Sequence, residues 1–145
     1  MEVTIDTSVL VDFFTRKNSE RYIIAKELLK AVKGKSVFCP RLILAEILGV
    51  LVRYSVELAD LGYNFVIKNF NLINENEIFD IVLEVCKNTG CRAIDSYFIA
   101  TAKLTDSILI TNDKVMNENA KKFGIESYYL LEDFDKVLDK MKNLR

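Results

Sequence analysis

Four acids in this chain, Asp6, Glu46, Asp95 and Asp113, have the residue type and surroundings to do chemistry together. Asp6 follows the β-rich run Val3-Thr4-Ile5 and precedes the hydroxyl pair Thr7-Ser8, and Asp113 follows Ser107-Ile108-Leu109-Ile110-Thr111 and Asn112. Glu46 is the only acid in the apolar stretch Leu42 to Tyr54, and Asp95 shares a helical face with Phe98, Ile99 and Ala102. Carboxylates that converge repel one another, and a divalent cation is the natural means of keeping such a group ionised. Two such ions, about 3.5 to 4 Å apart, can activate water and stabilise the leaving oxygen of a phosphodiester. The sequence contains no histidine. That removes Ser–His and Cys–His nucleophile systems and His-ligated zinc, and leaves carboxylates, lysine or a hard, oxygen-ligated metal as agents of hydrolysis.

The elements that must carry these acids alternate between strand and helix. A first strand ends at Asp6, and Thr7 or Ser8 is placed to cap a short helix that includes Val9, Leu10, Phe13 and Phe14. A helix over Glu20 to Val32 ends before Gly34, and Ser36 to Cys39 reads as a buried strand. Pro40 fits the first position of the next helix. Further helices are predicted over Val56 to Phe65, with Gly62 obscuring the end, over Ile78 to Cys86 and over Ile94 to Leu104. Phe70 to Ile73 and Ser107 to Thr111 are predicted strands, and a helix then runs to about Phe123. A last strand over Glu126 to Leu131 and a closing helix over Phe134 to Met141 complete the pattern. Strands separated by helices imply parallel pairing through right-handed crossovers. In such sheets ligands sit outside the carboxyl ends of the strands, where Asp6 and Asp113 fall.

Each acid also has a structural reading. Asp6 can be a turn residue, Asp95 a first-turn aspartate paired with Arg92, and Asp113 a helix N-cap. Glu46 has no basic residue three or four positions away, so its structural reading needs a tertiary partner such as Arg53. The metal cluster and these local roles are therefore the alternatives.

Four blocks of the sequence weigh between them by likeness: Asp6-Thr7-Ser8-Val9-Leu10-Val11, Leu44-Ala45-Glu46-Ile47, Asp95 followed by Ile99-Ala100-Thr101-Ala102, and Leu109-Ile110-Thr111-Asn112-Asp113. In order and spacing they resemble PIN-domain ribonucleases, particularly the VapC type of toxin, over nearly the whole chain. The resemblance implies a three-layer α/β/α domain spanning residues 1–145, with a central, mostly parallel sheet of four to five strands. It implies Mg²⁺- or Mn²⁺-dependent endonucleolytic cleavage of RNA, with Asp6, Glu46, Asp95 and Asp113 as catalytic, metal-holding acids. Ser8, Thr111 and Asn112 would support them. It further implies a homodimer and, in the toxin branch, a small antitoxin partner whose tail covers the site. Met116 stands where an aromatic often follows the last acid by three positions, and Ala100-Thr101-Ala102 replaces the more usual Ala-Ala-x-Ala. Neither departure removes an acid, so they bear on partner or substrate preference.

Composition agrees with this class without naming it. The net charge of −1 does not advertise a nucleic-acid binder, so phosphates would be drawn by metal and by rim lysines such as Lys103 and Lys114. Cys39, Cys86 and Cys91 match no zinc or redox spacing and read as core residues of a cytoplasmic, reduced protein. No apolar stretch approaches the roughly 20 residues that span a bilayer. Three other classes compete: an RNA-processing nuclease outside any toxin system, a PIN-like RNA- or protein-binding scaffold without catalysis, and a receiver-like signalling module. The last requires a lysine after the final strand, where Leu130-Leu131-Glu132 offers none.

Overall fold

The computed structural model describes residues 2–143. Strands β1 (Glu2–Ile5), β2 (Val37–Pro40), β3 (Asn71–Ile73), β4 (Ser107–Thr111) and β5 (Ser127–Tyr129) alternate with helices α1 (Thr7–Thr15), α2 (Glu20–Ala31), α3 (Ile43–Leu51), α4 (Val56–Asn69), α5 (Glu75–Thr89), α6 (Ala93–Thr105), α7 (Lys114–Lys122) and α8 (Leu130–Asn143). The strands form one parallel sheet in the order β3-β2-β1-β4-β5. Helices α1 to α4 pack on one another, with α8 against α2, while α6 packs on β1, β2 and β4 and contacts α5. Right-handed crossovers place α1–α4 on one face of the sheet and α5–α7 on the other, giving the three-layer α/β/α arrangement.

The central strands are apolar on both faces because both are covered by helices. Ile108, Leu109 and Ile110 of β4 and Ile5 of β1 are fully buried, and Phe98 and Ile99 of α6 meet them in the core. Ile5 pairs with Ile110. The next residues of both strands therefore emerge side by side, at the point where the chain leaves β1 toward one face and β4 toward the other. That is the topological switch point, where an α/β sheet opens a crevice.

Four local expectations are revised. Asp6, not Thr7 or Ser8, occupies the N-cap position of α1 and makes no side-chain cap hydrogen bond; both hydroxyls are engaged elsewhere. Pro40 closes β2 opposite Ile73 instead of starting a helix. Its missing N–H is tolerated because the following Arg41 N–H continues the ladder to the Ile73 carbonyl at 2.8 Å. Gly62 lies inside α4, which continues to Asn69, because the helix crosses α3 there: a Cβ on Gly62 would lie 2.4 Å from Leu51 Cδ1 and 3.2 Å from Ile47 Cγ1. Finally, β5 stops at Tyr129, and Leu130-Leu131 begin α8, which breaks at Asp133 (φ −105°, ψ 23°). An apolar pair of this kind fits a strand or a helix, and burial of Leu130 in the core selects the helix.

Candidate active site

Asp6 is buried, 4 % exposed, just past the carboxyl end of β1. Its backbone N–H still donates to the Ile110 carbonyl, so its position is set by the sheet. Two hydroxyls donate to its Oδ2: Ser8 Oγ at 2.6 Å and Thr111 Oγ1 at 2.8 Å. Both are oriented from behind. The Asn112 backbone N–H donates to Ser8 Oγ at 2.9 Å, and the Asp113 N–H donates to Thr111 Oγ1 at 2.9 Å. Each hydroxyl thus has a lone pair occupied by the β4–α7 junction and turns its proton to Asp6. Among the described residues neither bond uses Asp6 Oδ1.

Glu46 reaches the same place from α3, where Thr7 Oγ1 donates to its Oε1 at 2.7 Å. This hydroxyl, 39 positions away in sequence, is the tertiary partner that Glu46 needed, in place of Arg53. Asp95, in the first turn of α6, is 3 % exposed. Arg92 Nη2 approaches Asp95 Oδ1 at 3.3 Å and Asp113 Oδ2 at 3.7 Å. Asp113 also keeps its local role, its Oδ1 capping α7 by accepting from the Met116 N–H at 3.1 Å. The guanidinium therefore supplies positive charge between two of the acids, from a side chain that is 78 % exposed.

Burial is the dominant electrostatic influence. It pushes the Asp6 carboxyl above its ordinary range, against the two hydroxyls that lower it, and Asp95 pushes it further. Glu46 is raised first by burial and then by Asp6 and Asp95, while Thr7 and Arg92 oppose the rise. Asp95 is also raised, because desolvation outweighs the attraction of Arg92. These acids feel one another, and the Asp113 charge raises Asp95 in turn.

Asn112 faces away from Asp6. Its Nδ2 donates to Asp12 Oδ2 at 2.8 Å, and Arg21 Nη1 reaches the same oxygen at 3.1 Å. The side chain of Asn112 therefore ties α1 to the β4–α7 junction, while its backbone N–H serves Ser8. Asp12, 4 % exposed, is a residue that reasoning from the sequence missed. The signal that could have found it is its place at i+4 from Ser8, flanked by Val11 and Phe13. Arg92 and Thr7 have only local readings in the sequence, as a partner for Asp95 and as a cap, and both reach further than that.

The donor set suits a hard divalent cation: carboxylate oxygens in a poorly solvated crevice, with mutual repulsion that such an ion would relieve. As they stand, no group of three or more Asp, Glu or Cys side chains among the described residues is gathered closely enough to hold an ion. Binding one would require these side chains to draw together, with Arg92 giving way at Asp95 and Asp113.

Comparison with known proteins follows the same lines. A family model described as PIN domain matches residues 3–122. Among solved structures the chain is similar to PAE2754 from Pyrobaculum aerophilum, with a TM-score of 0.65 and 15 % identity over 99 % of this chain and 98 % of that one. It is also similar to a toxin-antitoxin complex from Klebsiella pneumoniae, with a TM-score of 0.58 and 21 % identity over 77 % of this chain and 87 % of that one. No curated protein matches by sequence. The structural likenesses concern the fold, whereas the family model spans most of the sequence from β1 to α7, and on that ground the chain belongs to the PIN domain family.

Proposed function

We propose that this protein is an endoribonuclease that uses Mg²⁺ or Mn²⁺ and serves, in the cytoplasm, as the toxin of a type II toxin-antitoxin pair. The observation that carries the reading is Asp6: a buried carboxylate with two hydroxyls turned onto one oxygen, beside Glu46 and Asp95, which repel it. A fold does not leave such a group desolvated for stability. Family membership supports nuclease chemistry, since PIN domains are generally nucleases. The similar structure from Klebsiella pneumoniae, described as a toxin-antitoxin complex, supports a small protein partner.

In this reading Asp6, Asp95, Asp113 and Glu46 hold the cation. A cation held there would supply activation of water and an offset to charge at the scissile phosphate. Ser8 and Thr111 keep Asp6 in one rotamer, which matters because small errors in position cost large factors in rate. Glu46, half-buried and held through one oxygen by Thr7, completes the cluster or orients the attacking water. Arg92, exposed and beside both Asp95 and Asp113, is a cation placed to meet an incoming phosphate. The test is incubation of purified protein with total RNA in Mn²⁺, in Mg²⁺ and in EDTA. Discrete products with metal and none in EDTA are expected; RNA left whole in every lane would count against the nuclease and favour a scaffold without catalysis.

The homodimer is part of the same proposal, and exposed apolar side chains at the end of α3 and along α4 support it. Val52, Val56, Leu61 and Ile67 are 48 to 61 % exposed there, a set of large apolar side chains suited to a second copy. Sedimentation at micromolar concentration should give about twice 16.6 kDa, and a single species of 16.6 kDa would remove the dimer from the proposal.

A further inference from the structure

Away from the acids the chain concentrates positive charge in one place. Lys26, Lys30, Lys33 and Lys35 fall within ten residues at the end of α2 and the turn into β2, in a chain whose net charge is −1. The turn is made by Gly34, whose φ of +84° lets the backbone reverse. These lysines border a cavity of about 400 Å³, lined also by Phe13, Tyr22, Phe65 and Phe70 and by no acid.

The aromatic wall is built in advance. Phe13 and Tyr22 stack with centroids 5.6 Å apart, and Phe65 lies 6.0 Å from Phe13 and 5.7 Å from Phe70. Lys26 Nζ sits 5.8 Å from the Tyr22 ring centroid. A second cavity of about 390 Å³ shares Lys30 and Lys35 with the first and adds Lys142. Its one acid, Glu27, lies 3.6 Å from Lys30. The positive surface therefore borders an apolar wall in which Phe13 and Tyr22 stack nearly parallel, at 13°, while Phe65 and Phe70 meet edge to face, at 87°; cations for a backbone beside rings for bases are the components of single-stranded nucleic-acid sites.

Location gives the track a use. It lies near Val37, at the amino end of β2, whereas the acids lie at the carboxyl ends of β1 and β4. Helix α1 joins the two, since Asp12 reaches Asn112 on the acid side while the next residue, Phe13, lines the cavity. A polyanion meets repulsion at four carboxylates and no net attraction from the chain as a whole. The cations that hold it must be local, and this track concentrates them.

We propose that the lysine track and its aromatic wall form an exosite for single-stranded RNA, which holds a base against the rings and the flanking phosphates on the lysines while cleavage occurs elsewhere on the same molecule. This rests on the ribonuclease reading. The experiment is fluorescence anisotropy of a short labelled single-stranded RNA in EDTA, across a salt series. Three proteins are compared: wild type, the double variant Lys26→Glu/Lys33→Glu, and a control of equal charge change, Lys121→Glu/Lys122→Glu at the end of α7. All four lysines are exposed, so both variants should fold. The track variant should bind at least tenfold more weakly, and its log–log salt slope should fall by about 1.4, or roughly 0.7 for each phosphate that is no longer neutralised. The control should change less than twofold. Equal effects in both variants, in a wild type that cleaves RNA with Mn²⁺, would remove the exosite and leave the nuclease. A wild type that neither binds nor cleaves RNA would remove both. A labelled acidic amphipathic peptide forms a second arm: peptide binding abolished in the track variant, with RNA binding unchanged, would overturn the RNA assignment in favour of a protein partner.

Discussion

Replacing Asp6 by asparagine should abolish metal-dependent RNA cleavage and at the same time make the metal-free protein more resistant to heat. The amide keeps the shape and can still accept from Ser8 and Thr111, but it carries no charge to hold a cation. A rate loss on the order of 10³-fold, about 4 kcal/mol in the barrier, is expected for removing a preorganised electrostatic group of this kind. The stability effect has the opposite sign because the native Asp6 carboxyl is raised above its ordinary value chiefly by burial. A carboxyl raised in the folded state contributes stability that is fully present below its unfolded pKa, near 4, and is lost as pH climbs through the higher folded value. Glu46 and Asp95 act in the same direction. The metal-free wild type should therefore melt higher at about pH 5 than at about pH 8. Asp6→Asn should raise the stability at the higher pH by about 1 to 2 kcal/mol after the weaker hydroxyl bonds are subtracted, and the melting point with it. Saturating Mn²⁺ should reverse the trend, since protons and metal compete for the same oxygens. Differential scanning calorimetry at the two pH values, with and without Mn²⁺, reads all of this. A variant that melts below wild type at the higher pH without metal would mean that the carboxylate is better satisfied than its burial indicates.

Gly62→Ala should destabilise the fold even though alanine is the better helix former. A Cβ at this position meets Leu51 Cδ1 at 2.4 Å and Ile47 Cγ1 at 3.2 Å, and both of those residues are fully buried, with little room to move. Alanine gains about 1 kcal/mol in helix propensity, but overpacking a filled core typically costs about 1 to 3 kcal/mol, and a larger residue such as valine should exceed that. Gly49 supplies the control. It lies in α3, and beyond its chain neighbours and the helix's own backbone nothing lies within 4 Å of the place a Cβ would take, so Gly49→Ala should stabilise by about 0.5 to 1 kcal/mol. The functional consequence runs through α3: Ile47, which the new methyl would push, follows Glu46 directly. Cleavage by Gly62→Ala should then fall more than its folded fraction, measured by urea unfolding, can account for. Activity that simply tracks the folded fraction would separate Glu46 from the α3–α4 packing.

The four acids were legible because each breaks a local pattern. Asp6 and Asp113 end β-rich runs, Glu46 interrupts an apolar helix, and Asp95 sits on a face otherwise made of Phe98, Ile99 and Ala102. Parallel strands joined by helices were legible for a similar reason, since apolar periodicity is written along the chain. Boundaries were less so. Pro40 and Leu130 each fit two local structures, and only the ladder with β3 and the burial of Leu130 decided between them.

Residue order alone specifies the alternation of strands and helices, the supply of acids at their ends and the lack of histidine to do their work. Local patterning carries such information because it depends on neighbours a few positions apart. Folding in three dimensions was needed to decide that Thr7 serves Glu46 across 39 positions, that Arg92 spans Asp95 and Asp113, that Asn112 faces Asp12, and that the lysines of α2 and of the turn after it share a cavity with aromatic rings of α1 and α4. Most of these are contacts between elements distant in sequence. They depend on the strand order β3-β2-β1-β4-β5, which brings β1 and β4 together although two strands and six helices lie between them along the chain. A short-range pattern cannot encode that order, because it is set by how whole helices cover the two faces of the sheet.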